Sequence, residues 1–112
     1  MKIINVKEMP IVETPHKVDV RKLYDYPSAQ AMHITLQPGE SLKPHITPVD
    51  VFFYILEGTA DVRVAEETVS VEKDNLVESP KDIVHCLSNS SSAITRILVV
   101  KAPKPEKQTK LL

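Results

Sequence analysis

Two histidines, His45 and His85, are the residues of this chain best placed to do chemistry. An imidazole takes or gives a proton near neutral pH and, uncharged, binds transition metals. The two are far apart in sequence, so they can share one site only if the fold brings their segments together. An antiparallel barrel does this, because inward positions on different strands converge on one cavity. Side chains alternate along a strand. An inward His45 therefore takes Lys43 and Thr47 inward with it, and an inward His85 takes Ile83 and Leu87 and turns Cys86 away. That alternation makes Cys86–His85 a poor nucleophile–base pair, and Cys86 reads as a buried structural thiol.

The elements that would position these residues are strands. Nine prolines fall between apolar runs or in the tail, where they end elements rather than interrupt them. The patterning predicts strands over Val18–Tyr24, Ala31–Leu36, Val51–Leu56, Asp61–Ala65, Thr68–Val71, Asn75–Glu78, Ile83–Leu87 and Ile94–Lys101. Gln37-Pro38-Gly39-Glu40 is a turn and Glu66-Glu67 the tip of a hairpin. Short strands at this spacing predict an all-β sandwich or barrel. The tail after Lys101 is rich in Pro and Lys and reads as frayed or extended.

Bulk composition excludes several classes. A chain of 112 residues with 42% hydrophobic and 26% charged residues suits one globular domain, 1–112, with its own core. A net charge of -1 offers no basic face for nucleic acid. Two glycines are too few for a phosphate-cradling loop. One cysteine forms no internal disulfide, the N-terminus lacks a signal-peptide pattern, and no apolar stretch is long enough for a membrane helix. The expected location is the cytoplasm.

Two spaced patterns give the chain a resemblance. The first is Gly39-Glu-Ser-Leu-Lys-Pro-His45-Ile-Thr47-Pro-Val-Asp50-Val51-Phe-Phe-Tyr-Ile-Leu-Glu-Gly58, and the second is Asp74-Asn-Leu-Val-Glu-Ser-Pro80-Lys-Asp82-Ile-Val-His85-Cys-Leu-Ser-Asn89. Gly39, His45, Gly58, Pro80, His85 and Asn89 stand at the spacing of the two cupin motifs, so the chain resembles a small, stand-alone member of the cupin superfamily. The resemblance implies an all-β double-stranded β-helix, the jelly-roll barrel, with motif one at 39–58 and motif two at 74–89. The arm 1–17 and the tail 102–112 would then be peripheral. Asp74 and Asp82 replace the motif-two glycines, implying altered turns.

The resemblance also implies a ligand set, and here the chain departs from it. Metal-binding cupins use two histidines and a glutamate of motif one and the histidine of motif two. His45 and His85 keep the outer two positions, but Thr47 replaces the second histidine and Val51 the glutamate. A catalytic metal usually has three protein ligands and a water. The third would have to be Asp50, His33 or His16. Asp50 reads better as a solvated or loop-capping carboxylate, His33 as a satisfied core or strand-face histidine, and His16 beside Pro15 as a surface residue. One divalent transition metal (zinc, nickel, iron, manganese or copper) and none at all both stay open.

The expected pocket is Lys43, His45, Thr47, Val51, Phe53, His85 and Leu87, with Lys43 either meeting an anionic substrate or standing at the rim. Two functions follow. One is a metal-dependent enzyme acting on a small organic molecule. The other is a non-catalytic small-ligand binding or sensor module without a tightly held metal. A homodimer is expected from the habit of small cupins and from exposed sheet edges. Substrate, catalysis and catalytic residues are undetermined at this level.

Overall fold

Alternation decides the strands. In Val51–Glu57, Val51, Phe53 and Ile55 are buried while Phe52, Tyr54 and Leu56 are half-buried; Thr95–Lys101 buries Thr95, Ile97 and Val99 in the same rhythm. A computed structural model of the chain describes all residues, 1–112. A short 3-10 turn, Val6–Glu8, precedes ten strands: β1 Asp19–Tyr26, β2 Ala29–Leu36, β3 His45–Ile46, β4 Val51–Glu57, β5 Thr59–Val64, β6 Glu67–Glu72, β7 Leu76–Ser79, β8 Val84–Ser88, β9 Thr95–Lys101 and β10 Lys110–Leu111.

The strands form two antiparallel five-stranded sheets, ordered β1-β2-β9-β4-β7 and β10-β3-β8-β5-β6. This is the jelly-roll arrangement. Leu36, Ile55, Leu87 and Ile97 are fully enclosed between the sheets, and Phe53 is 2% exposed. Each such side chain contributes about 1.5–3 kcal/mol by leaving water.

The two patterned segments meet through the backbone. Gly39 N–H donates to Asn89 O at 2.8 Å, and Asn89 N–H donates to Glu40 O at 2.9 Å. The Asn89 side chain, 1% exposed, donates to the Leu36 and Ala93 carbonyls and accepts from Ser91. It knots the end of β2 to the turn before β9. Gly58 takes φ +75° where the chain turns from β4 into β5, pressed against the Ile94 carbonyl.

Three expectations change. Asp74 and Asp82 take φ 69° and 63°, so the turns keep the left-handed backbone that glycine would have adopted. Aspartate tolerates that region better than most residues. Secondly, the segment carrying His45 is only two residues of strand, too short and too proline-flanked to show in the pattern. Thirdly, the tail does not end frayed. Lys110 pairs with Ile46 and Leu111 with His45, so β10 closes the edge of the second sheet beside the histidine.

Candidate functional site: a carboxylate-free histidine–lysine cavity

His45 and His85 are direct cross-strand partners in the β3–β8 pair. Their rings touch edge to face, with centroids 4.5 Å apart and planes at 74°. His85 also meets the edge of Phe53, at 5.2 Å. In the facing sheet, Val51 lies between Lys101 of β9 and Ser79 of β7, and Phe53 lies between Val99 and Val77. The residues of these rows that point between the sheets enclose a cavity of about 190 Å³.

Val20, Met32, Ile34, Val51, Phe53 and Val99 give the cavity its apolar wall. His16, His45, Thr47, His85 and Lys101 give it polar groups, and Thr14, Pro15 and Thr109 help cover it. None of the lining residues is an aspartate or glutamate.

The hydrogen bonds set the protons. His45 Nδ1–H donates to the Lys43 carbonyl at 2.7 Å, which leaves the Nε2 lone pair free. His16 Nδ1 accepts from Lys43 N–H at 2.9 Å, so its neutral ring carries its proton on Nε2. The rings of His16 and His45 lie 4.8 Å apart. His85 is held from both sides: Ser79 Oγ lies 2.7 Å from Nδ1 and Thr47 Oγ1 lies 3.1 Å from Nε2.

All three imidazoles are kept uncharged. Burial pushes the His85 pKa down to about 3, helped by the nearby His45, Lys101 and His16. Burial, with His45, Lys43 and Lys101 adding to it, pushes His16 down to about 4. Burial also lowers His45, against the pull of the Lys43 carbonyl. Lys101 is lowered by burial as well. No hydrogen bond or ion pair engages its amine, whereas Lys22 and Lys104 are both paired with Asp25.

Of the expected pocket residues, His45, Thr47, Val51, Phe53 and His85 line the cavity, and Lys43 and Leu87 do not. Strand β3 begins at His45, so alternation does not reach back to Lys43; Lys43 is exposed and uses its backbone to fix His16 and His45. Leu87 faces inward but two residues deeper on β8, opposite Val62, where it is wholly enclosed in the core.

The candidate third metal ligands fail for separate reasons. Met32 and Ile34 line the cavity, so His33 between them faces the outside of its sheet, where its Nε2 accepts from Arg96 at 3.1 Å. Asp50 points away from the cavity and caps the Lys81 amide at 2.8 Å. His16, expected at the surface, does reach the cavity, but its lone pair is taken by Lys43 N–H. No group of three or more His, Cys, Asp or Glu side chains could hold one metal ion. The donor set does not fit a divalent cation: of the three imidazoles only His45 keeps an unengaged lone pair, and an ammonium stands on the same wall.

Residues 32–101 match the family model described as the cupin domain. The chain is a cupin. This cupin is 35% identical over 78 residues to the tetracenomycin polyketide synthase protein TcmJ of Streptomyces glaucescens, a match covering 66% of the chain and 52% of that protein. It thus spans about half that relative's length. It is 30% identical over 89 residues to an uncharacterised protein of Methanocaldococcus jannaschii, covering 79% of the chain and 77% of the relative. Among solved structures, TT1209 from Thermus thermophilus superposes with a TM-score of 0.80 at 28% identity, over 94% of this cupin and 100% of that chain. The polyketide cyclase RemF from Streptomyces resistomycificus superposes at 0.85 with 20% identity, over 100% and 85%, a likeness of fold.

Ser79 and Lys101 are residues of the candidate site that sequence reasoning missed, and His16, weighed as a possible ligand, was expected at the surface. Lys101 was legible in principle: it follows Ile97 and Val99 at a spacing of two on a predicted strand, which places it on the inward face. His16 and Ser79 carried no such signal, since an arm and an edge strand bring them in.

Proposed function

We propose that this cupin binds a small organic anion, such as a carboxylate, enolate or phenolate, without a resident metal. One observation carries the reading: Lys101 is an unpaired cation on the wall of a cavity that holds three uncharged histidines and no carboxylate. Lys101 is half-buried, and an ammonium on a largely apolar wall with no counter-charge is disfavoured until an anionic ligand supplies one. His45 Nε2 is a free proton acceptor in the same cavity, near enough to feel the Lys101 charge.

The cavity size argues for a ligand of about one ring. An apolar cavity of about 150 Å³ accommodates benzene, and this one measures about 190 Å³. The relation to a polyketide synthase protein supports the chemistry, because polyketide intermediates are rich in 1,3-dicarbonyl groups that form enolates. A multi-ring product is larger than the cavity. A homodimer completes the reading, since β6 and β7 leave sheet edges unpaired; light scattering behind a sizing column tests it.

Native mass spectrometry of protein purified without chelators, followed by calorimetric titration with benzoate, tests the ligand. Benzoate should bind the wild type and lose at least about tenfold in affinity in Lys101→Met, a loss of about 1.4 kcal/mol. Equal affinity in the two proteins, or one transition metal per wild-type chain, would sink the reading.

A further inference from the structure

We propose that Lys101 is a nucleophile that forms an imine with a small aldehyde or ketone in the cavity. The inference rests on the cavity being the ligand site, and adds a covalent step to it. Nucleophilic lysines sit in apolar, desolvated surroundings without an acidic partner, where the neutral amine is accessible. Lys101 is half-buried on an apolar wall and has no acidic partner. Val51 flanks it across the strand pair, Val99 precedes it on the same face, and no carboxylate lines the cavity. Burial lowers its pKa, and the facing titratable groups, His16, His45 and His85, are kept neutral, so none of them holds the amine protonated. Lys43, the other nearby cation, is exposed outside the cavity.

The step balances without a redox partner. The amine lone pair attacks the carbonyl carbon, and the C=O π pair moves to oxygen. His45 Nε2, its lone pair free, accepts a proton from the nitrogen and returns it to that oxygen. The carbinolamine then loses its hydroxyl as water, and its second N–H proton leaves with it through the same imidazole. One C=N bond is formed and one water released. Thr47 and Ser79 engage both ring nitrogens of His85, which leaves His45 Nε2 as the free acceptor.

The test is reductive trapping of the whole protein with benzaldehyde, and separately with pyruvate, in cyanoborohydride at pH 7, followed by peptide mapping. A lowered amine pKa raises the neutral, nucleophilic fraction at pH 7. Lys101, its pKa lowered by burial, should therefore be the main site of reduced adduct, labelled faster than exposed lysines such as Lys81. Lys101→Arg should lose that adduct while keeping its circular-dichroism spectrum. In the wild type, benzoate should protect Lys101 alone, which keeps the test valid if the variant fails to fold. Adducts spread evenly over the lysines, or an unlabelled Lys101, would overturn the inference. Benzoate binding with Lys101 unlabelled overturns the imine alone; neither binding nor labelling overturns the anion site as well.

Discussion

The Thr47 hydroxyl lies 3.1 Å from His85 Nε2, at the position where the motif spacing calls for a second histidine. A neutral oxygen thus bonds the imidazole that a metal would need. Paired with Ser79 on its other nitrogen, His85 becomes a fixed wall of the cavity rather than an open ligand.

That exchange predicts how a metal site could be regained. Thr47→His together with Val51→Glu rebuilds the four-donor pattern around His45 and His85. The double variant should carry close to one zinc or nickel per chain by inductively coupled plasma mass spectrometry after loading and dialysis, and the wild type far less. A wild-type metal content near one per chain, lost in His45→Ala, would show that His45 and His85 hold a metal despite Thr47 and Val51.

Acid should weaken the fold through the buried histidines. In the unfolded chain a histidine titrates near 6.5, and in the fold His85 is held down at about 3 and His16 at about 4. Between those values the unfolded chain binds more protons than the folded one, so stability rises with pH. The penalty begins below pH 6.5 and reaches its full size near pH 3. Urea midpoints should fall from pH 7 to pH 5 in the wild type and fall less in His85→Gln. A flat profile between pH 5 and 7 would show that these rings are more hydrated than their enclosure suggests.

Leu87 separates core from cavity. Leu87→Ala should cost about 2–5 kcal/mol in chemical denaturation, as an enclosed leucine does. Benzoate affinity should change little, since Leu87 does not line the cavity. A large loss of affinity at unchanged stability would place it on the wall after all.

The two glycines should respond differently to alanine. Both have positive φ, +87° at Gly39 and +75° at Gly58. A Cβ at Gly39 meets nothing within 4 Å, so Gly39→Ala should cost about 1–2 kcal/mol, the strain of the left-handed backbone. At Gly58 the added carbon runs into the Ile94 carbonyl and crowds Thr95. Gly58→Ala should therefore cost clearly more in the same denaturation series, and equal costs would mean that the β9 approach yields easily.

Asp50→Ala offers a control on the ligand set. It removes the acceptor of the Lys81 amide and should cost about 1 kcal/mol or less, since the bond is exposed and water can replace it. Metal content and benzoate binding should be unchanged by it.

The sequence by itself determined the strands and the motif frame. Period-two burial in Val51–Glu57 and Thr95–Lys101 is a local property, and so are the turns at Gly39 and Gly58. The replacement of a histidine by Thr47 and a glutamate by Val51 was also readable at once. Only the tertiary structure decided what surrounds His45. His16 arrives from an arm, Ser79 from an edge strand and Lys101 from the far sheet, all through long-range pairings that no local pattern encodes. It also excluded Lys43, because alternation holds only inside a strand and β3 starts two residues later. The charge of the cavity, one unpaired ammonium among neutral imidazoles, is a sum over residues that the chain keeps far apart. It exists only once both sheets are closed.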